Sequence, residues 1–319
     1  MQENLIKAAK SKYQISEIND LARSDYSDLV SRSEMYYRGR VNELAKTVID
    51  QNCKAVFIAG PSASGKTTTA VKLAEFLEKN GKCALSVSLD DFLKDADALP
   101  ILPDGTADYE SINTLDIPCF QKSFADLMKY GKAQLPYFDF LKHCRTHMRE
   151  VKAEDNCVVI VEGLHALNPL IADCDYEGRG FKAYISVKSE YYRGNKRILN
   201  SRDMRLIRRL IRDNNFRASN PENTLGMWQK VCEGEKAYIR PFRSTCDMWL
   251  DSDHLYEPLV YSKPLIAELE KIPEESIFYQ TAVRLTDILE KFSELDASVV
   301  PQDSMLREFI GQEGLNISL

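Results

Sequence analysis

Residues 55–68 read AVFIAGPSASGKTT. The apolar run 55–59 is halted by Gly60 and Pro61, the pattern of a strand buried on both faces of a parallel sheet. The next eight residues, Gly60-Pro61-Ser62-Ala63-Ser64-Gly65-Lys66-Thr67, fit G-x-x-x-x-G-K-[S/T]. Directly after them Ala70, Leu73, Ala74 and Leu77 fall at helical spacing, and Asn80-Gly81 closes the helix. With glycine at ~7% of residues, chance supplies such an octamer roughly once per hundred chains of this length, before a flanking strand and helix are required. Strand, glycine-rich turn and helix in that order build a phosphate cradle, because successive backbone N–H groups and the positive helix end face the same anion. Gly60 through Thr68 are therefore the expected nucleotide contacts, with Lys66 reaching the outer phosphates and the Thr67 hydroxyl offered to Mg²⁺.

Further strands are expected at 84–89, 157–161 (CVVIV) and 182–187, alternating with helices. That alternation predicts an α/β fold, a doubly wound parallel sheet of the P-loop NTPase type with helical N- and C-terminal extensions. In the N-terminal part Tyr37, Val41, Leu44, Ala45 and Val48 keep helical spacing within 34–50. About 65 residues separate the second and third strands, more than a bare loop would use, and this insert is expected to help form a substrate site. Residues 251–319 carry 14 acidic against 5 basic side chains, and Ile277, Thr281, Leu285, Ile288, Leu289 and Phe292 mark an amphipathic helix. The expected division is a helical segment over 1–50, the nucleotide-binding domain over 51–255 and a helical extension over 256–319.

Of 319 residues 44% are hydrophobic and 28% charged, with a net charge of −6, which argues against a dedicated binder of long nucleic acids or anionic membranes. No apolar run approaches the ~18 residues of a membrane span, and the first twenty residues lack the apolar stretch of a signal peptide, so a cytoplasmic location is expected. Eight cysteines are scattered without a C-x-x-C pair, which makes free thiols the expectation. His143, Cys144 and His147 lie close together but read as ordinary loop residues, and no metal is assigned to them.

A nucleotide cradle serves kinases, GTPases and motor ATPases alike. The guanine signature N/T-K-x-D is missing, because Lys94 is followed by Asp95 and Ala96. A small-molecule kinase needs a carboxylate to take the acceptor's proton and a second carboxylate to help hold Mg²⁺. Asp90, at the end of the second strand in SLDDF, is the candidate base, with Asp91 its rival; Glu162, ending CVVIVE, is the candidate metal contact beside Thr67. Residues 193–217 hold nine basic and two acidic side chains. On a helix, Arg205, Arg208, Arg209 and Arg212 share one stripe opposite Leu206, Ile207, Leu210 and Ile211. Such crowding calls for anions nearby, and nucleotide phosphates would serve; a merely solvated face is the competing reading.

Taken together, GPSASGKTT (60–68), SVSLDDF (86–92), YESINTLD (109–116), LPYFDFLKHCRT (135–146), VVIVEG (158–163) and RLIRRLIRDNNFR (205–217) resemble, in order and spacing, the uridine kinase and phosphoribulokinase family, in particular its bacterial uridine kinase-like nucleoside kinases. The tail VPQDSMLREFIG (300–311) resembles that of a bacterial subgroup in which the kinase follows a threonyl-tRNA synthetase-like region, which this sequence does not contain. The resemblance implies transfer from Mg-ATP to the 5′-hydroxyl of a ribonucleoside, uridine or cytidine. It makes Asp90 the catalytic base and, with Thr67 and Glu162, a metal contact. It puts Glu110 on the ribose hydroxyls, places Tyr109, Phe138, Phe140 and His143 around the base, and makes Arg212 and Arg217 lid arginines acting with Lys66 in catalysis. Three positions depart from the family pattern: Glu110 stands for an aspartate, Phe138 for a tyrosine and Ser219 for a further lid arginine. Two alternatives stand beside this reading. A sugar or sugar-phosphate kinase of the phosphoribulokinase type would need Lys122, Lys129, Lys132, Lys142 or Arg145 to hold the substrate's phosphate; an idle nucleotide-binding regulator would not need the catalytic set at all. Family members are often oligomers, so the resemblance leaves a homo-oligomer open.

Overall fold

The computed structural model describes residues 11–139, 142, 144–174 and 176–311. Phe140 and His143, two of the expected base contacts, lie outside the described residues. A short strand, β1 (Lys12–Gln14), leads into the 36-residue helix α1 (Ile15–Asp50). The periodicity read over 34–50 thus extends about five turns further toward the N-terminus. At Asp25 the backbone leaves helical geometry (φ −156°, ψ 76°), which bends the helix.

The central strand is β2 (Cys53–Ala59). Val56 and Ile58 enter one core and Ala55, Phe57 and Ala59 the other, the burial on both faces that the apolar run implies. Helix α2 (Lys66–Lys79) follows, then β3 (Cys83–Ser88). The strand expected to include Leu89 stops one residue earlier, because Leu89–Phe92 closes into a 3₁₀ turn with Ser88 as its cap. Phe92 is fully buried and meets Phe120 edge-on at 5.3 Å, which pins the turn that carries Asp90 and Asp91.

The long insert is itself structured: α3 (Ile117–Tyr130) packs beneath the sheet, and β4 (Lys132–Asp139) pairs with β5 (Cys144–Lys152) as an antiparallel hairpin. Arg145 ties this hairpin back to the β3 turn, donating to the Leu93 carbonyl (2.8 Å) and to Asp116 (3.0 Å). The chain continues through β6 (Cys157–Glu162), α4 (Pro169–Ala172), β7 (Arg179–Ser186), β8 (Glu190–Arg193) and β9 (Lys196–Leu199). Then come α5 (Ser201–Phe216), α6 (Pro221–Gly234), β10 (Met248–Asp251), α7 (Glu257–Leu269), α8 (Tyr279–Leu289) and α9 (Arg307–Ile310).

Five strands form one parallel sheet in the order β10-β7-β2-β6-β3. One face is covered by α1, α2, α5, α7 and α8, the other by α3, α4 and the β4–β5 hairpin. The carboxyl ends of β2, β3 and β6 therefore open on the same edge, where ligands of open α/β sheets bind. Four of the five strands were legible in the sequence; β10, four residues long, carries too little pattern to read. The cysteines are free thiols, and Cys83 and Cys157 face each other across β3 and β6.

Candidate active site

The loop between β2 and α2 curls through two residues of left-handed backbone, Ala63 (φ 58°) and Gly65 (φ 84°). Left-handed backbone is costly for a residue with a Cβ, so Ala63 stores strain of the kind that concentrates at functional loops. Gly65 needs its lack of a side chain twice over, for its φ and because a Cβ there would collide with the sulfur of Met305. Lys66 lies back along the loop, donating to the Pro61 carbonyl at 3.2 Å. Burial lowers the pKa of its ammonium, while Glu162, Asp90 and Glu308 pull it back up.

Glu162 ends β6 and Asp90 follows β3, so adjacent strands deliver the two carboxylates to one place. Ser88 donates to Glu162 at 2.7 Å. Burial, and then the negative charge of Asp90, push the Glu162 carboxyl up to about 7. Asp91 points elsewhere: it accepts from Arg149 (2.8 Å) and from the Phe138 amide (3.4 Å), both on the hairpin. The pair is thereby divided, one carboxylate facing the cradle and the other fastening the insert.

The arginine stripe of α5 is not a solvated face. Residues 204–213 are buried all round, and the stripe faces the phosphate loop. Arg205 donates to the Ser62 carbonyl (3.3 Å) and pairs with Glu235 (2.5 Å). Arg208 donates to the Ala63 carbonyl (3.3 Å) and pairs with Glu257, and Arg209 donates to the Ser62 hydroxyl at 2.9 Å. The anions that the crowded stripe calls for include carboxylates of the chain itself. Asp213 gathers Arg209 (3.1 Å), Arg212 (2.7 Å) and Arg217 (3.9 Å) around a single carboxylate. Arg217 is about half exposed; partial desolvation, then repulsion from Arg212, lowers its guanidinium pKa, with Asp90 near enough to pull it back up. Arg212, Arg217 and Asp90 thus share one electrostatic neighbourhood.

On the insert side, Asp108 shapes the loop that presents Glu110, accepting the amides of Glu110 (3.0 Å) and Ser111 (3.2 Å) and the Tyr238 hydroxyl (3.2 Å). Burial pushes the Glu110 carboxyl up to about 7, against the attraction of Arg209 and Lys66. Gly234 closes over it, since any Cβ there would strike the Glu110 side chain. Phe138 is buried on β4, whereas Tyr109 is 61% exposed and does not join the enclosed group. His165, three residues beyond Glu162, is buried next to the same loop, and burial lowers its imidazole to about 4, so it is neutral at physiological pH.

Several side chains of this constellation escaped the sequence reading. Ser88 lies inside the quoted SVSLDDF and Asp213 inside RLIRRLIRD, but a hydroxyl beside a carboxylate or one acid among arginines gives no spacing signal. Glu308 is less legible still. It arrives from 95 residues beyond Asp213, and its Oε2 accepts the Thr68 hydroxyl at 2.5 Å and the Thr68 amide at 3.3 Å.

A parallel sheet with a glycine-rich loop at its central strand, a lysine in that loop and two carboxylates on neighbouring strand ends defines a P-loop phosphotransferase. Residues 55–172 match the model of the Phosphoribulokinase / Uridine kinase family. Over this segment, somewhat more than a third of its length, the chain is similar to that family. Uridine-cytidine kinase C of Dictyostelium discoideum is 32% identical over 113 residues, which cover 35% of this chain and 23% of that one. A uridine kinase of Staphylococcus haemolyticus is 25% identical over 199 residues, covering 62% of this chain and 86% of its own. The fold is also that of a solved structure assigned to a fructose transport system kinase of Silicibacter sp., with a TM-score of 0.51 at 20% identity over 66% of this chain and 98% of the other. Among the described residues no helix is long and apolar enough to cross a membrane.

Proposed function

We propose that the chain transfers a phosphoryl group from Mg-ATP to the 5′-hydroxyl of a ribonucleoside, uridine or cytidine. The observation that carries this reading is the division of labour around the cradle: Asp90 faces Lys66 and Glu162, while Glu110 is held on the insert side within the field of Lys66 and Arg209. The site fits its cofactor. A buried Glu162 whose carboxyl is pushed up to about 7 favours a divalent cation as its partner, and the Thr67 hydroxyl starts the adjoining helix. ATP supplies the phosphoryl group and Mg²⁺ its charge compensation; Thr67, Glu162 and Asp90 would hold the cation, and Gly60 through Thr68 the phosphates.

The chain's own residues do the rest. Asp90 accepts the proton of the acceptor hydroxyl at a carboxylate oxygen. Lys66, Arg212 and Arg217 bring fixed positive charge to the place where negative charge develops during transfer. Glu110 accepts hydrogen bonds from the ribose hydroxyls, and Phe138 supplies apolar area toward the base. Phosphoribulokinase-type chemistry is less well supported. Among the described residues Arg145 is committed to Asp116 and Lys142 pairs with Asp139, while Lys122, Lys129 and Lys132 are exposed.

The test is a panel of nucleosides, sugars and sugar phosphates incubated with Mg-ATP, with ADP release measured. A ribonucleoside should be the preferred acceptor, and its 2′-deoxy analogue should react more poorly because Glu110 would lose a partner. Turnover of ribulose 5-phosphate or a free sugar, with no nucleoside consumed, would move the assignment to the phosphoribulokinase type.

A further inference from the structure

The segment 303–310 is bolted to the nucleotide-binding edge of the fold. Asp303 takes both its carboxylate oxygens to Arg38 (2.7 and 2.8 Å) and one to Lys72 (3.0 Å), and Ser304 donates to Glu34 at 2.5 Å. Met305, Leu306 and Phe309 are completely buried, the first against Gly65 of the phosphate loop and the last beneath the Arg208 guanidinium. From this base Glu308 reaches the first turn of α2 and engages Thr68 through both its amide and its hydroxyl.

The first-turn amides of a helix have no partner within the helix, and in a phosphate cradle they are the groups that face the anion. Lys66 and Thr67 serve the outer phosphates and the cation. On the nucleotide-binding reading Thr68, one step further along the same helix turn, would meet a phosphate nearer the nucleoside. A carboxylate oxygen and a phosphate oxygen are both anionic acceptors, so they compete for the same N–H and O–H.

We propose that Glu308 is a built-in surrogate for the inner phosphate of the nucleotide, so that nucleotide entry requires its side chain to leave Thr68 while the anchors at Asp303 and Ser304 stay in place. The inference rests on the nucleotide-binding reading of the cradle and adds an autoinhibitory contact to it. It separates two classes of anion: nucleoside diphosphates and triphosphates must displace Glu308, whereas pyrophosphate, which has no nucleoside-linked phosphate, can bind the outer part of the loop with Glu308 in position.

The experiment is calorimetric titration of the full chain and its Glu308→Gln and Glu308→Ala variants with ADP and with pyrophosphate. Both substitutions should tighten ADP binding by about 10- to 100-fold, the ratio expected when a charged competitor for one charge-assisted hydrogen bond is removed, and should leave pyrophosphate affinity nearly unchanged. Equal or weaker ADP binding by folded variants overturns the proposal, as does an equal gain for pyrophosphate, which would mark a general charge effect. If no protein binds ADP, the nucleotide reading itself fails and this proposal with it. Should the variants not fold, amide hydrogen exchange on the unaltered protein decides: ADP should speed exchange over 307–310 without affecting 303–304, and slower exchange over 307–310 contradicts the surrogate.

Discussion

Arg212 turns onto its own neighbour Asp213, whose Oδ1 accepts from both Nε (2.9 Å) and Nη2 (2.7 Å) of the guanidinium. With Arg209 and Arg217 on the same carboxylate, three cations are held by one anion, and the cluster carries surplus positive charge toward Asp90. Charge that meets the transition state more than the ground state acts on kcat. Arg212→Ala and Arg217→Ala should therefore lower kcat more than they raise the KM for nucleoside. Steady-state kinetics checks this, and equal small changes in both constants would mean that the arginines only brace α5.

Asp90 and Asp91 are neighbours in sequence with different duties, since only Asp91 is engaged by Arg149 and the Phe138 amide. Asp90→Asn should keep the fold and nucleotide binding and reduce kcat by roughly 10²- to 10⁴-fold, the usual worth of a positioned general base. Asp91→Asn should act mainly on the hairpin, with a lower melting temperature and a milder loss of kcat. The reverse ranking of kcat would transfer the base role to Asp91.

Glu162 gives the stability a pH dependence. Its carboxyl titrates near 7 in the fold and near the ordinary glutamate value of 4.5 when exposed, so between those values the folded state binds more protons than the unfolded one. Stability from this group is then fully present below about 4.5 and is lost as pH rises to about 7. Glu110, also near 7, adds in the same direction. Without Mg²⁺, Glu162→Gln should raise the melting temperature by a few degrees at pH 8 and much less at pH 5. An equal shift at both pH values would show that the carboxyl does not titrate as described.

Arg208 and Glu257 form a fully buried ion pair, supported by Ser252 and the Ala63 carbonyl. Arg208→Ala strands the Glu257 carboxylate in the core and should cost about 3–5 kcal/mol in denaturant unfolding. Replacing both partners together, as Arg208→Met with Glu257→Leu, should recover most of that loss. A single substitution costing under about 1 kcal/mol would contradict the role of this pair in joining α5 to the C-terminal helices.

What could be read from the sequence was whatever is local. The 55–68 stretch shows its strand, loop and helix in consecutive residues, and Asp90 and Glu162 are marked by the apolar strands that end in them. The burial of the arginine stripe was hidden, because Glu235 and Glu257 lie 30 and 49 residues from the arginines they meet. Periodicity places Arg205 and Arg208 on one face of α5 but does not say what covers that face. Glu308 at Thr68, 240 residues away, has no spacing to betray it, and only the fold brings the two together.

Phosphoryl transfer to a nucleoside 5′-hydroxyl is tested most directly by the identity of the products. The protein is incubated with Mg-ATP and uridine or cytidine, and the products are resolved by phosphorus NMR and mass spectrometry. ADP and the nucleoside 5′-monophosphate should form in equal amounts, with 5′-deoxyuridine unreactive and the Asp90→Asn protein nearly silent. ADP formed without a nucleoside monophosphate, or a phosphate placed on any other hydroxyl, would contradict it.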